Sequence, residues 1–274
     1  MGMMLGTMTC SSLAGEAAVG VSAEDQLYQV STIDALLAGV YDRAASVGEL
    51  LQYGDFGIGT FDALDGELIA LDGIVYRADS DGRVEAVPPE TGTPFMAVTR
   101  FAPDDGVQLS APVDFAAFQE QLVQGFPSPN LIYAIKADGH FDWIRYRSVP
   151  RQQRPYPPLA AISDQQALFE QRGIEGSLIG FWCPPFVAGL NVPGFHLHFL
   201  SADRKHGGHL LDFEGARLAV GLDHTSSWQL VLPTLPSYLE ADLERDRSAE
   251  LHRVEKTPSA PQPDAGPASR PGES

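Results

Sequence analysis

Four of the chain's seven histidines fall within fourteen residues, in the stretch GFHLHFLSADRKHGGHLLDF at 194–213. Within it, Phe195-His196-Leu197-His198-Phe199 alternates apolar residues with histidine. Successive side chains of a strand point to opposite faces, so His196 and His198 share one face while Phe195, Leu197 and Phe199 share the other, towards a core. Two residues of strand rise separate the imidazoles by roughly 7 Å at the backbone, a span that one metal ion can bridge. Gly207 and Gly208 let the chain fold back, which puts His209 on a neighbouring antiparallel strand. Two imidazoles from one strand and one from the next make the ligand set of a catalytic metal with open positions. His206, beside Lys205 in the turn, competes for the third place and is expected to be exposed. Imidazole suits Zn, Fe, Cu or Ni, so the donors alone do not name the metal.

Other groups can join such a site. Glu67 opens the strand-like GELIALDG directly after a turn, either as a site carboxylate or as a solvated strand end. Arg145 and Arg147 alternate with Ile144 and Tyr146 and so share a face. Turned inward, such an arginine clamps a carboxylate; turned outward, it is ordinary strand surface.

The elements that must position these residues are mostly strands. GDFGIGTF, GELIALDG, GIVYRAD, PFMAVTRF, LIYAIKADG and FDWIRYRSV are short, β-branched or aromatic, and punctuated by Gly and Asp. Helices are fewer. The spacing predicts one over 31–40 capped by Ser31 or Thr32, and one over 113–126. A third is predicted over 163–173, with Ser163 as cap and Gly173 as terminator. One or two polar pieces follow over 236–255. The uncharged stretch 176–195 carries three prolines and four glycines, which suits buried loop and strand rather than a spanning helix. The proline-rich 147–160 reads as a linker. The expected organisation is a disordered leader at 1–24, an N-terminal mixed-sheet domain at 25–150, a C-terminal domain carrying the metal site at 151–256, and a disordered proline-rich tail at 257–274. The fold class is α/β in the mixed, α+β sense, with two sheet-based domains and few helices.

A formal charge of −18 argues against nucleic acid and against anionic membrane surfaces. A small anionic substrate would need a local positive centre, such as a metal or an arginine. Two cysteines, Cys10 and Cys183, make neither a disulfide framework nor a cysteine zinc site, so the default setting is a reducing cytoplasm. The leader MGMMLGTMTCSSLAGEAAVG lacks a basic n-region; a cleaved export signal is the alternative to a plain leader. From the residues alone, the chain reads as a metal-dependent enzyme acting on a small oxygen-rich molecule.

The motifs GDFGIGTFDALDGELIALDG, RSVPRQQRPYPPL, GFHLHFLSADRKHGGHLLDF and a final VEK resemble the α-acetolactate decarboxylase family, from about Tyr28 to Lys256. The family's His-x-His-x10-His pattern falls on His196, His198 and His209, as metal ligands. Its other active-site positions fall on Thr60, Glu67, Arg147 and Glu255, with Glu250 as the neighbouring alternative to Glu255. The resemblance implies a homodimer and a zinc-dependent conversion of 2-acetolactate into (R)-acetoin and CO2, in the butanediol-forming branch of pyruvate metabolism. In that chemistry zinc acts as Lewis acid for the enediolate. Arg147 orients the carboxylate or hydrogen-bonds the enediolate, and Glu67 and Glu255 handle the proton and the hydroxyl. Two other readings compete: a cupin-like oxygenase or other histidine-ligated hydrolase acting on a small oxygenated acid, and a binding protein with a structural metal.

Overall fold

The computed structural model describes residues 25–255, so the leader, Cys10 and the proline-rich tail lie outside the described residues. Among them, no helix is long and apolar enough to cross a membrane.

The fold is mixed α+β and strand-rich, with two main sheets. One has seven strands, in the order Ser227–Val231, Gln26–Val30, Met96–Thr99, Phe56–Thr60, Glu67–Leu71, Ile74–Ala78 and Val84–Ala86. Its outermost pair, Gln26–Val30 with Ser227–Val231, is parallel and the other pairs are antiparallel. The other has six, in the order Ala167–Cys183, Gly194–Ser201, Gly207–Glu214, Ile132–Ser148, Ala216–Thr225 and Asp105–Val113. Ile132–Ser148 also pairs with Ala167–Cys183, which closes four of these strands into a ring. The two sequence segments 131–139 and 141–149 are thus one continuous strand.

Alternation sorts side chains to two cores. Tyr133, Phe141, Ile144, Tyr146, Leu197 and Phe199 fill one side of the six-stranded sheet, where Phe118 and Leu122 of the helix Phe115–Gly125 join them. Between the sheets, Phe56, Ile58 and Ile69 meet Ile132, Ile179, Phe181 and Leu200. Each such fully buried side chain contributes roughly 1.5–3 kcal/mol. Placing the sheets face to face lets residues from both reach one site.

The helix Ile33–Leu37 is capped by Thr32, whose Oγ1 accepts the Ala35 N–H at 3.2 Å. The C-terminal helical region forms two pieces, Pro236–Leu239 and Ser248–Glu255. The helix predicted over 163–173 is not formed. A 3-10 turn, Ser163–Gln165, leads instead into the strand Ala167–Cys183. Long antiparallel pairing with Ile132–Ser148 outweighs the helix propensity of Gln, Ala, Leu and Glu there.

The sheets do not divide near residue 150. Asp105–Val113 and Ile132–Ser148 precede 147–160 yet belong to the six-stranded sheet, and Ser227–Val231 returns to the seven-stranded one. The proline-rich segment is docked rather than free: Gln152 N–H donates to Ala63 O at 2.7 Å, and Tyr41 Oη donates to Pro157 O at 3.0 Å. Proline excludes a ladder but says nothing about which sheet its flanks join.

Candidate metal centre

The strand parity read from the sequence holds. Leu197 and Phe199 are buried on the ring side, and His196 and His198 face the seven-stranded sheet, where His198 Nδ1–H donates to Leu68 O at 2.9 Å. His198 and His209 are register partners on adjacent antiparallel strands. One ring nitrogen from each of His196, His198 and His209 lies within 4.8 Å of the others. His206 is half-buried in the turn and is not part of this cluster; its Nδ1 lies 3.3 Å from Gln171 Nε2.

The glycines work differently from the sequence expectation. The turn is made by 202–206, and Gly207 and Gly208 already belong to the returning strand. Gly208 has φ +155°, and a Cβ there would lie 2.4 Å from Arg147 O. It is therefore close approach of strand to strand, rather than the turn, that calls for glycine beside His209.

Burial holds all three imidazoles neutral. It pushes His196 down to about 3, aided by the Arg147 charge. His198 and His209 are pushed well below the ordinary histidine range, first by burial and then by neighbouring His196 and Arg147. Neutral imidazole is the metal-binding form. The Leu68 carbonyl fixes the His198 tautomer and leaves Nε2 buried with no hydrogen-bond partner. That is the outer-shell pattern of a metal-ligating histidine, and the donor set fits a transition metal.

The charged residues anticipated from the sequence converge here. Glu67, first residue of its strand, brings Oε2 to 3.6 Å from His198 Nε2. Burial, reinforced by Glu255 and opposed by Arg147, raises its pKa to about 7. Thr60 faces the same cavity, and its hydroxyl donates to Gly66 O at 2.8 Å, bracing the turn that presents Glu67. That turn holds Ala63 and Leu64 at φ +60° and +58°, strained backbone between two site residues. Glu255, the last described residue of its helix, places Oε2 3.4 Å from His209 Nε2 and Oε1 4.0 Å from Arg147 Nη2. Burial raises its pKa against the pull of Arg147. Glu250 is directed elsewhere, to Arg245 and Arg247. Arg147 is buried, with Nη1 donating to Gln166 Oε1 at 3.1 Å, whereas Arg145 turns to the surface and pairs with Glu170.

Two features escaped the sequence reading. The spacing over 163–173 puts Gln166 on a helix, and that helix does not form. The apolar part of the lining, with Leu36, Leu64, Phe95, Val149, Leu159 and Val254, is drawn from segments far apart in the chain. It borders a cavity of about 40 Å³ that the three histidines also line. The site thus combines a neutral three-imidazole donor set, a buried guanidinium, the buried Glu67 and the half-buried Glu255, both carboxyl groups with raised pKa.

The alpha-acetolactate decarboxylase family model matches residues 27–245. The alpha-acetolactate decarboxylase of Methanosarcina mazei is 45% identical over 235 residues, covering 86% of this chain and 82% of its own. That of Methylococcus capsulatus is 44% identical, with 85% and 89% covered. Among solved structures, alpha-acetolactate decarboxylase from Bacillus subtilis strain 168 superposes with a TM-score of 0.83 at 36% identity, over 85% of this chain and all of that one. With this similarity spanning the strands that carry the three histidines, Glu67 and Arg147, the chain belongs to the alpha-acetolactate decarboxylase family and is a carboxy-lyase.

Proposed function

We propose that the chain converts 2-acetolactate into (R)-acetoin and CO2, with zinc held by His196, His198 and His209. The observation that carries this reading is the convergence of three neutral imidazoles, Arg147, Glu67 and Glu255 on one cavity. Acetolactate is a β-keto acid with a hydroxyl on the carbon that bears the carboxylate. Breaking the bond to CO2 leaves an electron pair that moves onto the ketone oxygen. When bound, zinc supplies a Lewis acid for that developing charge. Three neutral ligands leave the ion its full positive charge for this purpose.

The chain's own residues do the rest. Arg147 supplies a fixed cation in a dry site, which lets an acidic protein take up an anionic substrate. As charge leaves the carboxylate, the guanidinium hydrogen-bonds the enediolate oxygen. Glu67 lies beside His198 and Glu255 beside His209; one holds the substrate hydroxyl and the other delivers the proton that replaces CO2. A protonated Glu67 is consistent with its raised pKa. Thr60 steadies the Glu67 turn. The apolar wall excludes water and borders the methyl groups. Assembly as a homodimer in the cytoplasm, in acetoin and butanediol formation, belongs to the same reading.

Purified protein mixed with racemic 2-acetolactate, with and without chelator treatment, tests it. Chiral chromatography should show one acetoin enantiomer, formed equally well without O2 and abolished by the chelator. No acetoin from a verified metal-loaded sample would send the substrate search to other small oxygenated acids.

A further inference from the structure

Glu255 reaches the histidines from the far end of a short helix, Ser248–Glu255. The eight described residues of this helix are too few to hold themselves helical in water. Only Val254 of this helix is buried, with Leu251 packed partly beside the same cluster. Something else must fix its start.

Arg247 stands immediately before it. Arg147 and Arg247 are the buried arginines among the described residues. Arg247 Nη2 donates to Asp242 O at 2.8 Å, Nη1 donates to Glu250 Oε2 at 3.1 Å, and its carbonyl accepts the Leu251 N–H at 2.9 Å. One side chain thus ties the preceding loop to the first turn of the helix. Asp34, on the helix Ile33–Leu37, adds an acidic neighbour: burial raises its pKa and the Arg247 charge opposes that rise. Arg247, Asp34 and Glu255 also border one cavity of about 390 Å³ beside the histidine site. A buried cation is costly unless its partners are well placed, and these partners lie on both sides of the helix start.

The lever is short but sufficient. Eight residues span about 12 Å, so a tilt of about 10° at one end moves the other by about 2 Å. Against a Glu255–His209 separation of 3.4 Å, such a shift breaks the arrangement. We infer that Arg247 is a positioning residue, fixing the start of the helix Ser248–Glu255 and thereby setting Glu255 against His209 and Arg147. This rests on the reading of Glu255 as a member of the reaction site.

The test compares Arg247→Met, Glu255→Gln and the double variant in the full-length, metal-loaded chain, with metal content, kcat and KM as readouts. Arg247→Met should keep its metal and lose kcat by about tenfold to a hundredfold, the scale of misplacing a reacting group by an ångström. In the Glu255→Gln background the same substitution should cost less than about twofold, because residues acting as one unit are non-additive. Arg247→Lys should recover part of the loss. An equal loss in both backgrounds, or a wild-type kcat in Arg247→Met, would overturn the inference. Wild-type activity in Glu255→Gln would overturn the reading of Glu255 itself, a result recognisable without any Arg247 variant. Should Arg247→Met not fold, Glu250→Gln weakens the same anchor. It should lower kcat in the parent but not in the Glu255→Gln background, and an equal drop in both would overturn the inference.

Discussion

Arg147 and His209 are register partners across the antiparallel pair formed by Ile132–Ser148 and Gly207–Glu214. His209 is in turn the register partner of His198. Three adjacent strands therefore deliver a guanidinium and two imidazoles to one line across the sheet, and the face shared by His196 and His198 sets the third imidazole. Side-chain period two makes this arrangement sensitive to slips: a shift of one residue turns a whole strand's set to the other face.

His198→Ala removes the imidazole whose tautomer is fixed by the Leu68 carbonyl. Metal affinity should fall by about a hundredfold or more, and decarboxylation with it. Elemental analysis of the purified variant alongside acetoin formation checks this. Full activity in a metal-free variant would eliminate the zinc mechanism.

Gly208→Ala attacks the register without touching a ligand. A Cβ at Gly208 would lie 2.4 Å from Arg147 O and 3.0 Å from Tyr146 Cδ2. Backbone cannot yield as a side-chain tip can, so the strands must separate. The expected cost is about 2–4 kcal/mol of stability, with weaker metal binding through the displaced His209. Urea unfolding and metal titration measure the two effects; an unchanged midpoint would mean that the strand pair adapts freely.

Much of the site is legible in the sequence because local parity encodes it. The pair His196 and His198 needs only period two, and His209 only a short hairpin. Local pattern does not separate Glu250 from Glu255 as the acidic member beside His209, since they share one nondescript segment; it is Arg245 and Arg247 that claim Glu250. Gln166 is not legible because its segment has helix-forming residues; pairing of Ala167–Cys183 with the distant Ile132–Ser148 replaces that helix and leaves Gln166 just before the strand, where it meets Arg147. The ring closure and the return of Ser227–Val231 to the first sheet are long-range choices that composition does not carry.

Asp223 offers a pH test away from the metal. It is almost wholly buried, and its Oδ2 accepts the Ala102 N–H at 3.0 Å. Burial first, then the Asp104 and Asp25 carboxylates, raise its pKa to about 6. The folded state thus holds a proton that the unfolded chain releases near pH ~4. The associated stability is present below that pH and is lost as pH rises through about 6. Asp223→Asn keeps an oxygen for Ala102 and removes the charge. Relative to the parent, it should gain on the order of 2 kcal/mol at pH ~8 and little at pH ~4. Denaturant midpoints at the two pH values measure the difference, and a pH-independent gap would assign the effect to packing.

Arg147→Lys separates two uses of the guanidinium. Lysine keeps the charge but replaces a planar fork by a point. A cation gripping only the carboxylate would stabilise the ground state, since that charge is lost as CO2 departs, and its weakening would appear mainly in KM. A cation bound to the enediolate oxygen meets charge that grows in the transition state, so its weakening appears in kcat. Arg147 is buried, hydrogen-bonded to Gln166 on one nitrogen and 4.0 Å from Glu255 on another, so its position is restricted before substrate arrives. Preorganisation of this kind favours the second use. We therefore expect Arg147→Lys to retain its metal and lose about a hundredfold, chiefly in kcat. Steady-state kinetics on acetolactate decide the matter: a rise confined to KM would assign Arg147 to holding the carboxylate instead.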